Sequence, residues 1–422
     1  MPDRRSIRFE NEKDSVMEQG FSPSKRDLLV AIVAGCMISF IGFGFVATFG
    51  VFLRPMSIDL EWPREIFSLS IAIQVLFWGI AQPVAGMVAD RYGAARVLAI
   101  GAILAALGFY LRGSMVDPMV FIASGIIVGI GTGACSFPVV IIALGKVVSA
   151  SQRSLVMGLG TAAASTGMLV AAPLSQFLLV NGGWQAAINV IAAGFLMILP
   201  FLYFVGRVSM PSSKSNHMAG VLPAIQLAFN DRSYLLLFFG FFVCGFHVTF
   251  IQTHLPAYIV DKGLAVTVGG WSLALIGLFN IAGSFLSGWS GQVLPKKNVL
   301  SGIYAARAIV ILAFIMTPMS PTSVYVFSAA MGILWLSTVP LTTSLVAQTQ
   351  GLTYLSTLAG FVFLSHQIGA FIGSWLGGRV FDLYQDYTPV WIASIILGVL
   401  AMLIHLPIRE TARSLADPQS AG

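Results

Sequence analysis

Among the five histidines, His247, His254 and His366 lie well inside long apolar stretches of the sequence. A side chain that can carry a proton is costly in such surroundings, and it often marks the path of an ion or a substrate. The alternative is that each imidazole bonds to a neighbouring helix and only packs. The sequence leaves both interpretations open.

The spacing of two of these histidines places them on one helical face. His254 follows His247 by seven residues, within about 20° of the same stripe, and Tyr258 continues that stripe. Pro256 is expected to kink or break the helix there. His247 and His366 each lie roughly 20 Å along their helices. We predict a proton-coupling role for His247 and His366 and an outer entrance at His254 and Tyr258.

Uncharged polar residues form two further stripes at helical spacing. One contains Asn280, Ser284 and Ser287, and the other contains Gln74, Trp78 and Gln82. Small polar side chains also let helices approach and hydrogen-bond, which is the alternative interpretation. The predicted substrate-binding residues are His247, Asn280, His366, Gln367, Gln74 and Gln82.

The acidic residues lie away from these stripes. Each of the 17 falls in a tail, a loop or the end of an apolar stretch. A carboxylate proton relay in the middle of the molecule is therefore not expected. If protons cross the molecule, histidine is the remaining carrier, because its ordinary pKa of about 6.5 lies nearest to neutral pH.

Composition predicts the elements that carry these residues. Hydrophobic residues make up 57% of 422 positions and charged residues only 9%, too few to cover a water-soluble surface. Twelve apolar stretches approach the roughly 20 residues that a membrane-spanning helix requires. These predicted spans, numbered 1 to 12 below, are residues 28–52, 66–89, 97–114, 118–148, 155–180, 185–206, 233–258, 267–293, 299–317, 322–348, 355–381 and 390–406.

The net charge of +6 is unevenly distributed, which indicates membrane topology and not nucleic-acid binding. With the N-terminus in the cytoplasm, 17 Lys and Arg residues fall inside and four outside, so both termini are predicted to be cytoplasmic. The polar segment before span 1 lacks the pattern of a cleaved secretory signal. We expect a multi-pass protein of the cell inner (plasma) membrane, surrounded by lipid bilayer, with its three cysteines as packed thiols.

The second half of the chain repeats landmarks of the first half at a constant offset of 202 residues. Glycine and proline mark backbone requirements, so their coincidence is more informative than matches between apolar residues. The matched pairs are Gly86 with Gly288, Pro138 with Pro340, Gly158 with Gly360 and Gly167 with Gly369.

The repeat predicts an all-α membrane protein with twelve transmembrane helices as two pseudo-symmetric six-helix bundles. The bundles are residues 28–206 and 233–406. The predicted cytoplasmic parts are an N-terminal tail (1–27), a central loop (207–232) and a C-terminal tail (407–422). Duplicated bundles are typical of transporters that rock around a central site.

The stretch GMVADRYGAAR, from Gly86 to Arg96, resembles the G-x-x-x-D-R-x-G-x-x-R loop between helices 2 and 3 of the major facilitator superfamily. The second-half counterpart, GWSGQVLPKKN, carries Gln292 in place of the aspartate. The resemblance implies the major facilitator fold. It also implies a gating role for Asp90, Arg91 and Arg96.

The runs ATFGVFLRPMSIDLEWPRE, ILWLSTVPLT and HQIGAFIGSWLGGRVFD are similar to the monocarboxylate-porter and oxalate–formate antiporter branch of that superfamily. Porters of this branch hold an aspartate and an arginine on helix 8. The matching positions here are Asn280 and Ser284, so that ion pair is absent. Two arginines inside spans, Arg112 and Arg307, are interpreted as side chains that reach water at the membrane surfaces.

Motifs of other protein classes are missing from the sequence. GLGTAA fits a dinucleotide fingerprint by its letters but follows no strand, and no zinc, P-loop or nucleophile motif occurs. We expect no enzyme activity, no cofactor and no metal.

The predicted function is secondary active transport of a small organic solute by alternating access, with symport of a proton if histidine couples it. A monocarboxylate or related organic anion is the first expectation for the solute. The alternative is another small solute, such as a vitamin, an amphipathic aromatic or a drug, including efflux. A uniporter or exchanger with packed histidines also remains open, and a monomer is the expected functional unit.

Overall fold

A computed structural model describes residues 24–135, 150–208, 221–351 and 354–411. These ranges are almost entirely helical. The elements are Lys25–Ala47, a 3-10 turn at Phe49–Phe52, Leu53–Asp59, Arg64–Tyr92, Ala94–Ser114, Pro118–Ala134, Ala150–Leu196, Ile198–Val208, Val221–Phe229, Arg232–Asp261, Val266–Val293, Lys296–Met316, Pro321–Leu334, Thr338–Gln350, Leu355–Tyr384 and Thr388–His405.

The helices follow the predicted spans closely. Ten segments of the described residues are long and apolar enough to cross a membrane. One of them, Gly158–Val208, has 51 residues and turns at Gly183, so it holds spans 5 and 6. Span 4 begins as the shorter apolar helix Pro118–Ala134, and its second part lies outside the described residues. The arrangement is consistent with twelve spans.

Local sequence explains where several spans begin. Asp117 and Asp231 each accept a hydrogen bond from a backbone amide in the first turn of spans 4 and 7. Ser320 and Ser323 form a capping box before span 10. The carboxylates of Asp117 and Asp231 thus bond to backbone amides at the ends of their spans. Their location agrees with the expectation that the acids of the chain lie away from the middle of the spans.

Span 7 is one continuous helix from Arg232 to Asp261, so the sharp break that Pro256 allows does not occur. Proline leaves the carbonyl four residues earlier, at Gln252, without its helical donor. Gly50 of span 1 lies against this carbonyl, and a Cβ at Gly50 would collide with it. The freed group is therefore buried against protein, where such a group is tolerated within a membrane.

Span 10 is interrupted between Leu334 and Thr338, where the sequence predicted one long stretch. The interruption frees backbone groups that need other partners inside a membrane. The side-chain oxygen of Asn280, on span 8, accepts the amide of Leu336 at 3.0 Å. Span 8 therefore stabilises the interruption of span 10.

The internal repeat is visible in the packing. A Cβ at Gly167 on span 5 would collide with the carbonyl of Phe40 on span 1. A Cβ at Gly369 on span 11 would collide with the carbonyl of Phe242 on span 7. Both residues of the second contact follow those of the first by 202 positions, so the two halves repeat the same helix approach.

Two faces of the bundle are distinguished below. The terminal face is the side at which span 1 begins at Lys25 and span 12 ends at His405. The opposite face is the side at which span 2 begins at Arg64 and span 7 ends at Asp261. The predicted central loop, 207–232, contains the short helix Val221–Phe229, which leads into span 7 on the terminal face.

Candidate functional site

The two halves of the molecule meet near the opposite face at close contacts of glycines. A Cβ at Gly378 of span 11 would collide with Ser68 of span 2. A Cβ at Gly270 of span 8 would lie 3.2 Å from that of Gln176 on span 5. Gln176 and Gly378 are 202 positions apart, and so are Ser68 and Gly270. The halves therefore close against each other at two contacts related by the repeat.

Deeper in the membrane, two hydrogen bonds join the halves. Asn280 of span 8 donates to the hydroxyl of Ser165 on span 5 at 2.9 Å. Gln367 of span 11 donates to the carbonyl of Val75 on span 2 at 2.8 Å. Ser165 and Gln367 are again 202 positions apart. The predicted binding residues Asn280 and Gln367 therefore lie between the halves, at matching depths.

Toward the terminal face the glycines of the same four spans make no such close contacts with the described residues. A Cβ placed at Gly86, Gly158 or Gly288 would meet no atom of the described residues within 4 Å, apart from the chain neighbours and helix backbone of the glycine itself. One at Gly360 would meet the side chain of Pro83 at 3.8 Å. Among the described residues, the tight glycine contacts between the halves therefore lie toward the opposite face and not toward the terminal face.

A latch of charged and aromatic residues closes the opposite face above these contacts. Arg64, at the start of span 2, pairs with Asp261 at the end of span 7, with Nη2 and Oδ1 2.9 Å apart. Its Nη1 also donates to the Tyr387 hydroxyl at 2.9 Å, and its guanidinium lies 3.6 Å from the ring centre of Phe381. Arg54 adds a second bond to the same aspartate.

Span 11 contributes the rest of the latch. Asp382 accepts the backbone amides of Arg64 and Glu65 at 3.0 and 2.8 Å, so it caps span 2 from the other half. Glu65 accepts from Trp375 and from Arg379, each at 2.9 Å. Sequence reasoning missed this latch, because its partners are up to 318 residues apart. The available signal was a set of opposite charges at span ends that share one face.

His247 is completely buried and faces span 12. Its Nε2 donates to the carbonyl of Ser394 at 2.8 Å, while Nδ1 has no partner among the described residues. His366 is 7% exposed, and its Nδ1 lies 2.9 Å from Oε1 of Gln367. Its ring packs between aromatic residues of spans 7 and 11. The two imidazoles thus have different neighbours, and only His366 adjoins a residue that bridges the halves.

His254 is 1% exposed and belongs to the interior of the second half. Its Nε2 lies 2.8 Å from the carbonyl of Ser374, and its Nδ1 lies 3.2 Å from the hydroxyl of Tyr387. Tyr258 is also buried, with its ring packed against those of Tyr387 and Trp391. His254 therefore connects to the latch through Tyr387, which is the hydroxyl that Arg64 also contacts.

The polar stripe on span 2 divides between two surroundings. Gln74 accepts a hydrogen bond from Arg112 at 2.6 Å, so its side chain points into the first half. Gln82 and Trp78 have side-chain polar atoms that are buried and unpartnered among the described residues. On span 8, Ser287 donates to the carbonyl of Ser337. Of this stripe, Gln82 and Trp78 retain polar atoms for a further partner.

The two arginines inside spans do not reach water, contrary to the interpretation from sequence. Arg112 and Arg307 are both 0% exposed. Arg112 donates to Gln74, Ser70 and Ser124 and lies among three phenylalanine rings. Neutral hydrogen-bond acceptors and aromatic faces replace the water that a snorkelling side chain would find.

Arg307 satisfies the interruption of span 10. It donates to the carbonyl of Leu334 at 2.7 Å and to that of Trp335, and its Nη1 has no partner among the described residues. No carboxylate of the described residues bonds to Arg307 or to Arg112. Each half therefore holds one buried positive charge whose partners are neutral.

The predicted gating motif lies on the terminal face. Arg91 and Arg96 are exposed, and Arg91 lies over the ring of Tyr92 at 5.2 Å. The side chain of Asp90 lies outside the described part of the structure. Its gating role stays a prediction.

The fold and the site can be compared with known proteins. The chain belongs to the Major Facilitator Superfamily, whose family model matches residues 34–374. It is 25% identical over 377 residues to the uncharacterized MFS-type transporter YcxA of Bacillus subtilis (strain 168), covering 86% of this chain and 90% of that one. It is 25% identical over 376 residues to monocarboxylate transporter 13 of Rattus norvegicus, covering 86% and 85%.

Solved structures share the fold at lower identity. A bacterial homolog of the human lysosomal transporter Spinster, inward-facing and occupied, superposes with a TM-score of 0.74 at 13% identity, covering 91% of this chain and 97% of that one. A D-xylose-proton symporter superposes with a TM-score of 0.69 at 16% identity, with the same coverage. The protein is a membrane-spanning transporter of small solutes and not an enzyme.

Proposed function

We propose that this transporter carries a small organic anion, foremost a monocarboxylate. The observation behind the proposal is the pair of buried arginines, Arg112 and Arg307, with neutral partners among the described residues. Charges in surroundings of low dielectric act over longer distances than charges in water. Their field favours an anion over a cation in the space between the halves. The similarity to monocarboxylate transporters supports the same class of solute.

We infer that the solute binds where Asn280 and Gln367 join the halves. In the observed state both amides are bonded to the other half. When the halves separate toward the opposite face, these donors lose their partners and become available to a carboxylate. Gln82 and His366 lie on spans 2 and 11, which the bond of Gln367 joins, and Gln74 acts indirectly by orienting Arg112.

Proton coupling through His247 and His366 remains part of the proposal. His366 is the more direct candidate, because it bonds to Gln367, which spans the two halves. His247 acts from behind it, with a free ring nitrogen in the core of the second half. A proton on either imidazole adds positive charge beside a bound carboxylate, so solute and proton favour each other's binding.

We further propose that the terminal face is cytoplasmic, in the cell inner (plasma) membrane. Basic residues concentrate on that face, as the positive-inside rule requires. On the opposite face Arg54, Arg64 and Arg379 are paired with acids, so they add little free positive charge there. The observed state is then inward-facing.

The test is solute uptake by proteoliposomes across a panel of labelled monocarboxylates, dicarboxylates and matched neutral amides, with and without a proton gradient. We expect saturable uptake of a monocarboxylate that its amide does not compete for. If protons are coupled to transport, an acidic outside should drive the solute to a higher concentration inside the vesicles than outside. Transport of a neutral vitamin, aromatic or drug in preference to every acid would contradict the anion proposal and favour the alternative solute class.

A further inference from the structure

The hydrogen-bond chain through His254 has a fixed direction. A backbone carbonyl only accepts, so the bond to Ser374 requires the hydrogen of His254 on Nε2. In the neutral ring Nδ1 is then an acceptor, and the hydroxyl of Tyr387 donates to it. The same hydroxyl oxygen accepts from Nη1 of Arg64, while Nη1 and Nη2 of that guanidinium also donate to the carboxylate of Asp261. Every group in this chain is satisfied when His254 is neutral.

A proton on His254 would disrupt this chain at one point. Both ring nitrogens would then be donors, and Nδ1–H would meet a hydroxyl that already accepts from Arg64. The hydroxyl hydrogen would lose its acceptor. Two cations, from different halves of the molecule, would also share one oxygen in a buried place. The closed latch therefore favours neutral His254 over its protonated form.

Separation of the halves reverses the preference between neutral and protonated His254. Arg64 belongs to the first half, while His254, Tyr387 and Asp261 all belong to the second. When Arg64 leaves, the second half keeps a carboxylate at Asp261 without its cation. Asp261 lies seven residues beyond His254, two turns along the same face of span 7. A protonated His254 then supplies the positive charge that Arg64 has withdrawn.

We propose that His254 is a positioning residue that ties closure of the opposite face to its own deprotonation. The latch exchanges one cation for another: Arg64 when the face is closed and protonated His254 when it is open. A proton is taken up when the face opens and released when it closes. Lower pH therefore shifts the population toward the state open at the opposite face, in the absence of solute.

Other charged groups lie near His254, and the experiment must distinguish their titration from that of His254. Asp382 caps span 2, and Glu65 bonds to Arg379 and Trp375, all between the two halves. On the neighbouring elements, Phe250 and Phe381 present uncharged rings to His254 and Tyr387. Asp386 follows span 11, and Lys262 lies over Tyr258 at the end of span 7. A carboxylate that titrates in place of His254 must be distinguished by substitution.

The experiment measures the distance between the halves at the opposite face in purified full-length protein without solute. Spin labels are placed on Val116→Cys and Met316→Cys, which are 55% and 75% exposed, in a background with the three native cysteines replaced by serine. Double electron–electron resonance is recorded between pH 5.5 and pH 8.0. We expect a short distance to dominate at high pH and a longer one to gain at least several-fold in population at low pH.

Three variants test the assignment. His254→Gln keeps a donor for Ser374 but cannot gain a proton, so its distance distribution should not respond to pH. Tyr387→Phe keeps the ring against Arg64 and removes the shared hydroxyl, so the response should weaken while closure persists. Glu65→Gln, the carboxylate control, weakens a closing contact and so lowers the closed population at every pH, but its response to pH should persist.

Specific outcomes would overturn the proposal. One is a parent protein whose distances ignore pH, and another is a shift toward closure on acidification. A third is a response that survives in His254→Gln and disappears in Glu65→Gln, which would assign the titration to the carboxylate. If His254→Gln does not fold, the Tyr387→Phe and Glu65→Gln pair decides the question. No solute is present, so failure here is separate from failure of the anion proposal.

Discussion

At the residue scale, the arginines carry more of the interpretation than the sequence suggested. A side chain such as Arg307 in an apolar span has two ways to avoid an unpaired charge: it reaches water, or it finds acceptors inside the protein. The interruption of span 10 provides those acceptors, because it frees the carbonyls of Leu334 and Trp335. Sequence periodicity indicated neither the interruption nor the direction of the side chain.

Substitution of Arg307 tests its charge separately from its packing. Arg307→Lys keeps the charge but cannot bond two carbonyls in the same fork, whereas Arg307→Gln loses the charge. Both substitutions should lower the free energy of unfolding by roughly 1–3 kcal/mol, because they leave buried carbonyls unpaired. Uptake assays should show a KM for an acidic substrate that rises at least several-fold more in Arg307→Gln than in Arg307→Lys. Equal KM values in the two variants would assign Arg307 a purely structural role.

At the element scale, the spans were predictable, while the directions of their side chains were not. Spans follow from long runs of apolar residues, and the repeat follows from glycines such as Gly167 and Gly369, whose contacts recur in both halves. A stripe of polar residues, however, does not specify the neighbouring helix that it faces. The periodicity could not show that Gln74, a predicted binding residue, accepts from Arg112 within the first half. Nor could it show that His247 bonds to the backbone of span 12.

Glycine contacts between spans 2 and 11 predict which state a substitution disfavours. Gly378→Ala places a methyl group against Ser68 and the carbonyl of Arg64, which requires the spans to separate. An overpacked contact costs roughly 1–3 kcal/mol, so the closed population at the opposite face should fall about 5- to 160-fold relative to the open one. Gly288→Ala is the matched control, since its Cβ meets no described atom within 4 Å. The measurement is the same label distance between Val116→Cys and Met316→Cys. Indistinguishable distances in the two variants would mean that this contact does not hold the face closed.

At the scale of the whole molecule, the two faces use different chemistry. The opposite face combines glycine contacts with charged pairs at Arg64, Glu65 and Asp382, and these contacts bond one half to the other. The terminal face carries the motif around Asp90, Arg91 and Arg96, which has no counterpart at Gln292 in the second half. With the predicted gate at Asp90, the two closed states would be held by contacts of different kinds.

Coupling to protons is a property of the whole cycle and depends on where the carrier lies. Of the two predicted carriers, His366 bonds to Gln367 between the halves and His247 bonds to span 12. In vesicles with an acidic outside, His366→Gln should abolish accumulation of the acidic substrate above its outside concentration. Exchange of labelled for unlabelled substrate should survive, since it needs no net proton movement. His247→Gln should reduce accumulation less, because its ring acts on the bound anion from a greater distance. Undiminished accumulation in the double variant would contradict histidine coupling and require another proton carrier. No accumulation by the unsubstituted protein would instead indicate a uniporter or exchanger, with both imidazoles serving only to join helices of the second half.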